Sequence, residues 1–255
     1  MLLGTFFFAT ALIYACVGFG GGSTYNALLV LNDTDYRILP FIALSCNIIV
    51  VSGGVWFFSK AGHINIKKIL PWILFSVPAA WIGGYIEVPE TVFIGLLGCT
   101  LLIAGIKMLW PEEKAISIKT EHTLKLVHSS FTPSVIGGLL GLLAGLTGIG
   151  GGIFLAPILH FLRWGDPKNI AGTCSLFILV NSLSGLIGQT MKLNEIDALS
   201  SISSYWILFP SVLIGGQIGS WLGSTKLDVV AVKKVTALLI LYVSARLLYR
   251  FCTLV

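Results

Sequence analysis

The pentapeptide Gly18-Phe19-Gly20-Gly21-Gly22 returns 130 residues later as Gly148-Ile149-Gly150-Gly151-Gly152, each time inside a long apolar run. Three glycines in a row break a helix. In hydrocarbon a broken backbone is tolerated only where it is buried in protein or lines a cavity, because its free N–H and C=O groups find no water. Two such breaks, one in each of two similar halves, imply a solute site between the halves.

The remainder of the chain fits a bilayer. Of 255 residues, 56% are hydrophobic and only 11% charged, whereas soluble domains carry about 25% charged residues. A span needs roughly 20 apolar residues. The runs 38–58, 69–86, 91–110, 169–191, 203–224 and 229–249 approach that length. Six spans and two broken segments leave no room for a soluble domain, so the expected fold class is an all-α polytopic membrane protein. The net charge of +5 sits in loops with no basic stripe interleaved with aromatics, which suits membrane topology and not nucleic acid. Met1-Leu2-Leu3-Gly4 lacks a basic n-region, so the first segment is expected to be retained. Cysteines 16, 46, 99, 174 and 252 have no ligand spacing and read as small buried hydrophobes; Cys46 and Cys174 are the candidates for a reactive thiol.

The offset of 130 continues past the glycines, placing Ser45 on Ser175, Ile48 on Ile178, Val50 on Val180 and Ser52 on Ser182. With a slip to 132, Pro78 falls on Pro210 and Ile82-Gly83-Gly84 on Ile214-Gly215-Gly216. The chain divides into a first half (1–110), a hydrophilic linker (111–132) and a second half (133–255), each half with one broken segment and three spans.

Charges in equivalent loops reverse. Lys60, His63, Lys67 and Lys68 stand where the second half has Lys192, Glu195 and Asp197. Glu87 and Glu90 correspond to Lys226 to Lys234, and Asp33, Asp35 and Arg37 to Arg163, Asp166 and Lys168. By the positive-inside rule the halves then have opposite topology, an inverted repeat. This requires an odd number of crossings per half, most simply if each broken segment is a re-entrant hairpin. Hairpins divide Lys and Arg 12 to 4, with Arg37, Lys192, Arg246 and Arg250 outside; straight crossings divide them 10 to 6. Both termini are then expected outside and the linker in the cytoplasm. The arms 3–17, 23–31, 134–147 and 153–163 would each reach about 14–22 Å, enough for the bilayer middle.

At each tip the second arm begins with free amides and the positive end of its dipole, a ready place for an anion. The candidate ligands are Gly20, Gly21, Gly22, Ser23, Thr24 and Asn26 at the first tip, and Thr147, Gly150, Gly151 and Gly152 at the second. The next span of each half adds polar side chains to an apolar run: Ser45, Asn47 and Ser52, then Thr173, Ser175, Asn181, Ser182 and Ser184. Of these Ser45, Asn47, Thr173, Ser175 and Asn181 complete the candidate site. Asparagine in hydrocarbon is costly unless partnered, so Asn47 and Asn181 serve either as helix-to-helix bonds or as ligand donors. Isolated glycines such as Gly138 and Gly141 read as close-packing positions. No span carries a carboxylate in its centre, which argues against a buried acid relay. Histidines and cysteines show no metal-ligand spacing, and no hydrolase, Walker or dinucleotide signature stands in a suitable context. Neither metal, cofactor nor enzymatic activity is expected.

Two stretches, Thr147-Gly148-Ile149-Gly150-Gly151-Gly152-Ile153-Phe154-Leu155-Ala156-Pro157 and Ala171-Gly172-Thr173-Cys174-Ser175-Leu176-Phe177 with Asn181-Ser182-Leu183-Ser184-Gly185, together with the duplicated halves, resemble the TauE/SafE sulfite-exporter family over essentially the whole chain. The first half departs from that pattern: no Thr precedes Gly18, and Leu44-Ser45-Cys46-Asn47 replaces the fuller second-half run. The resemblance implies transport of sulfite, sulfonates or related sulfur oxyanions across the cytoplasmic membrane, with the small anion and the lipid bilayer as partners. An inside-negative potential drives a monoanion outward by about 2.3 kcal/mol per 100 mV, so export needs no coupling group. An anion channel, or a permease for another small organic anion such as a carboxylate, fits the same residues, and a homo-oligomer is compatible with them.

Overall fold

The computed structural model describes residues 2–109, 131–162, 164–195, 202, 205–225 and 229–254. The expected linker lies outside these residues except for its last two, as do Arg163, Asp197, Lys226 and Asp228. Among the described residues the chain is helical, without strands. Its longer elements are α1 (Leu2–Cys16), α2 (Gly22–Leu31), α3 (Leu39–Lys60), α4 (Ile66–Tyr85) and α5 (Glu90–Leu109), then α6 (Phe131–Thr147), α7 (Gly152–Phe161), α8 (Pro167–Glu195), α9 (Leu208–Thr225) and α10 (Val229–Leu254). Each apolar run read from the sequence is thus a helix, and each glycine cluster separates two short ones. Among the described residues, α3, α4 and α8 are long and apolar enough to cross a membrane.

The breaks fall where the backbone needs glycine. Gly21 (φ 86°) caps α2 and Gly151 (φ 77°) caps α7, both in the left-handed region that a side chain disfavours by about 1–2 kcal/mol. After the break α2 folds back on α1: the Phe7 and Tyr25 rings stack at 4.6 Å and the Tyr14 and Thr24 hydroxyls share a 2.7 Å hydrogen bond.

Helix packing is reciprocal between the halves. The first helix of each half packs on the fourth of the other, α6 on α4 and α1 on α9. Glycine brings the backbones together in both pairs. A Cβ on Gly137, Gly141 or Gly145 of α6 would sit 2.0–2.2 Å from the carbonyl oxygens of Trp72, Ser76 or Ala80. On α9, Gly215, Gly219 and Gly223 meet the Phe8, Leu12 and Cys16 carbonyls at 2.1–2.4 Å in the same sense. Small residues at four-residue spacing are how helices associate in lipid, where no hydrophobic force draws them together. Gly141 therefore packs as expected, whereas Gly138 meets only Phe75, at 3.6 Å.

The contacts also give directions. Along α4 and α6 the pairs 72–137, 76–141 and 80–145 ascend together, and so do 8–215, 12–219 and 16–223 along α1 and α9. On α3 and α8 the pairs run oppositely: Leu44 meets Gly185, Gly54 meets Ser175, and Phe58 and His63 meet Gly172. The order is likewise opposed on α5 and α10, where Gly95 faces Phe251 and Gly98 faces Leu248. Phe7, Tyr14, Tyr25, Phe58 and Trp72 fill the interior. Outward, Trp56, Phe75, Ile187, Leu238 and Tyr249 stay exposed, an apolar exterior that suits lipid.

Candidate functional site

The two tips meet. A Cβ on Gly22 would lie 2.7 Å from the Gly148 carbonyl oxygen, and one on Gly150 would lie 3.1 Å from Asn47 Nδ2. Asn47, fully buried on α3, joins them: the Gly22 N–H donates to its Oδ1 (2.9 Å), and its Nδ2 donates to the carbonyls of Gly148 (3.3 Å) and Ile149 (3.1 Å). Asn26 on α2 adds a second bridge, Nδ2 donating to the Thr147 carbonyl at 2.5 Å. Every polar group of a broken backbone must be accounted for in such a place, and two asparagines do this for the ends facing each other.

The tips nonetheless differ in what they leave available. At the first, the opening amide of α2 is held by Asn47 and the Gly18 carbonyl lies 3.0 Å from the Ser175 hydroxyl. At the second, the carbonyls are held, but among the described residues no side chain accepts from the first amides of α7, and Phe177 stands where a counterpart of Asn47 would be. Gly150 (φ 84°) is packed closely against α8: a Cβ there would fall 2.7 Å from Ile178 Cγ2 and 3.0 Å from Ser182 Oγ. Ser182 Oγ, Asn181 Oδ1 and Asn26 Oδ1 are buried without a hydrogen-bond partner among the described residues, at a cost of about 1–3 kcal/mol for such a group.

Of the candidate residues, Gly20, Gly21, Gly22, Asn26, Asn47, Thr147, Gly150, Gly151 and Gly152 lie in or beside this junction. A Cβ on Gly20 would fall 2.2 Å from Asn47 Oδ1, so a side chain there would displace the bridge. Ser23 is buried in the first turn of α2, and Thr24 is engaged with Tyr14 between the arms. Ser175 serves the first tip through Gly18, away from the junction. Ser45, half-buried, donates to the Phe41 carbonyl of its own helix, and Thr173 is buried on α8 one turn before Phe177. Asn181 Nδ2 donates to Phe177 O, leaving its Oδ1 free. Cys46 and Cys174 are fully buried and unpaired.

Beside the second tip lies a cavity of about 420 Å3, lined by Tyr36, Arg37, Pro40, Glu87, Leu146 and Lys192 among others. Pro40 is also the residue against which Gly148 packs, and Leu146 precedes Thr147, so the tip adjoins the cavity wall. Reasoning from the sequence missed these charges, which stand at segment ends and read as ordinary loop residues. Lys192, the last cation of an apolar run, was the available signal.

An all-helical chain with an apolar exterior and a polar junction of two broken helices at its heart is an integral membrane protein. Residues 2–247 match the family "Sulfite exporter TauE/SafE". The chain is 31% identical to "Probable membrane transporter protein y4hK" of Sinorhizobium fredii, over 95% of this chain and 96% of that one. It is 25% identical to a "Probable membrane transporter protein" of Haemophilus influenzae (74% and 71% covered) and 26% identical to one of Xylella fastidiosa (80% and 76% covered). No solved structure matches. The chain belongs to the TauE/SafE family, and it is a membrane transporter rather than an enzyme.

Proposed function

We propose that the protein exports small sulfur-containing anions (sulfite, sulfonates or related oxyanions) across the cytoplasmic membrane, through a site at the second glycine-rich tip near mid-membrane. The observation that carries this reading is the division of labour at the junction. The side chains of Asn47 and Asn26 occupy the carbonyls of the second tip and leave its amides to a ligand, and the unpaired Ser182 hydroxyl stands beside Gly150. Donors at a helix start select an anion over a cation. The family match supplies the sulfur oxyanion class.

The same reading takes the halves as an inverted repeat with re-entrant tips. In its favour, the equivalent helices α3 and α8 touch with opposed directions, as do α5 and α10, which a two-fold axis in the membrane plane requires. Since α1 runs with α9, and α9 with α3 (Val50 at Gly216, Gly54 at Ser220), α1 and α3 share one direction. On this reading the chain between them turns back at the glycines. Tips tied together by side chains favour a carrier that rearranges over an open pore.

Proteoliposomes loaded with labelled sulfite or an alkyl sulfonate test the function. Saturable efflux, hastened by a negative interior potential, is expected. Absence of flux for every sulfur oxyanion, or flux of carboxylates alone, overturns the substrate reading; flux indifferent to potential overturns the uniport.

A further inference from the structure

We propose that the cavity walled by Arg37, Lys192 and Glu87 is a second anion site, an outer vestibule on the exit side that holds an organic monoanion by its acid group and its apolar body. It rests on the reading of the second tip as the transport site, because two of its lining residues adjoin that tip: Pro40, against which Gly148 packs, and Leu146, which precedes Thr147. The first argument is Lys192. It is only 8% exposed, lines the cavity, and makes no hydrogen bond with a described residue; the one described carboxylate whose charge reaches it, Glu87, also acts on Arg37. A buried ammonium is held at a cost unless it finds an anion, and here the space in front of it can supply one.

The second argument is charge. Arg37, Lys192 and Glu87 line one cavity and sum to a single positive charge. One acid group neutralises that wall, whereas a dianion would bring an excess charge against Glu87. The third is size and surface. A cavity of about 420 Å3 falls in the range of sites for organic ligands. A four-atom oxyanion would leave most of it to water, whose share of the liquid is about 30 Å3 per molecule. Tyr36, Pro40, Pro89 and Phe93 offer an apolar and aromatic lining for the rest of the ligand. The Arg37 guanidinium is already placed over the Tyr36 ring, 5.7 Å from its centroid.

The test is equilibrium binding to the full-length protein in detergent, with benzenesulfonate, benzoate, sulfite and 1,3-benzenedisulfonate as probes. Benzenesulfonate or benzoate should bind at least tenfold more tightly than sulfite. Lys192→Met should weaken that binding at least tenfold and Lys192→Arg should restore most of it, each variant checked by its melting temperature. Glu87→Gln should improve disulfonate binding several-fold relative to the monosulfonate, a gain that misfolding cannot mimic. Sulfite binding as tightly as benzenesulfonate, unchanged binding in a folded Lys192→Met, or an unchanged disulfonate ratio in Glu87→Gln overturns the proposal. Flux distinguishes the two readings. Aryl sulfonate binding that depends on Lys192, without transport of any sulfur anion, sinks the transport reading alone. Sulfite flux with Lys192-independent binding sinks the vestibule alone.

Discussion

The first and second glycine tips share nearly the same five residues, yet among the described residues a side chain holds the leading amide of α2 and none holds that of α7. At the first, the leading amide of α2 is taken by Asn47, the Gly18 carbonyl by Ser175, and the arms are stapled by Phe7–Tyr25 and Tyr14–Thr24. At the second, only the carbonyls are taken. The difference arises outside the glycines. Duplication copies the break, but the span that follows has diverged: Asn47 faces Phe177 in the alignment, and Ser52, exposed and bonded to its own helix, faces Ser182, buried and unpaired. On the function proposed above, one copy is a fixed support and the other is where a ligand completes the hydrogen bonding.

Removing the support should have the largest effect. Asn47→Ala strands the Gly22 N–H and the Gly148 and Ile149 carbonyls, each at about 1–3 kcal/mol. A much lower melting temperature and loss of flux are expected. Asn181→Ala removes only a bond to a carbonyl of its own helix, worth about 0.5–1.5 kcal/mol, and should cost clearly less than Asn47→Ala. Equal destabilisation of the two would erase the contrast.

Next comes the close packing at Gly150. Gly150→Ala adds left-handed strain of about 1–2 kcal/mol and puts a methyl group against Ile178 and Ser182, so flux should fall more than stability. Gly62→Ala carries a similar φ of 78° with nothing within 4 Å, so it should show the strain in thermal melts while transport persists. A Gly150→Ala protein that transports normally would place the anion elsewhere.

The finest distinction is between two serines. Ser182→Ala should leave stability unchanged or slightly raised, since its hydroxyl is unpaired, and weaken substrate binding about tenfold, or 1.4 kcal/mol. Ser175→Ala should do the reverse, costing about 0.5–1.5 kcal/mol of stability without changing affinity. Binding isotherms and melting curves on the same preparations would separate them.

Much of the architecture was legible before any coordinates. Apolar runs of membrane length become helices in lipid whatever their neighbours, and glycine triplets can hardly continue one, so helix bounds and breaks follow locally. Asn26 and Asn47 were legible for a similar reason, because a buried amide in hydrocarbon must bond something. The inequality of the tips was not, since a repeated motif gives both copies equal weight and only packing reveals which amides are already bonded. Ser45 stands out in the sequence because it is polar in an apolar run, and only the structure shows its hydroxyl bonded to Phe41 on the preceding turn. Lys192 and Arg37 were hidden because loop charges are normal, and burial of Lys192 depends on tertiary packing.

Amide chemical shifts during a sulfite titration test the central claim most directly. In selectively 15N-labelled protein the account predicts that the Gly152 and Ile153 amides of the second tip move saturably, while the Gly22 amide, held by Asn47, stays in place. Movement of Gly22 with Gly152 and Ile153 unchanged would contradict it.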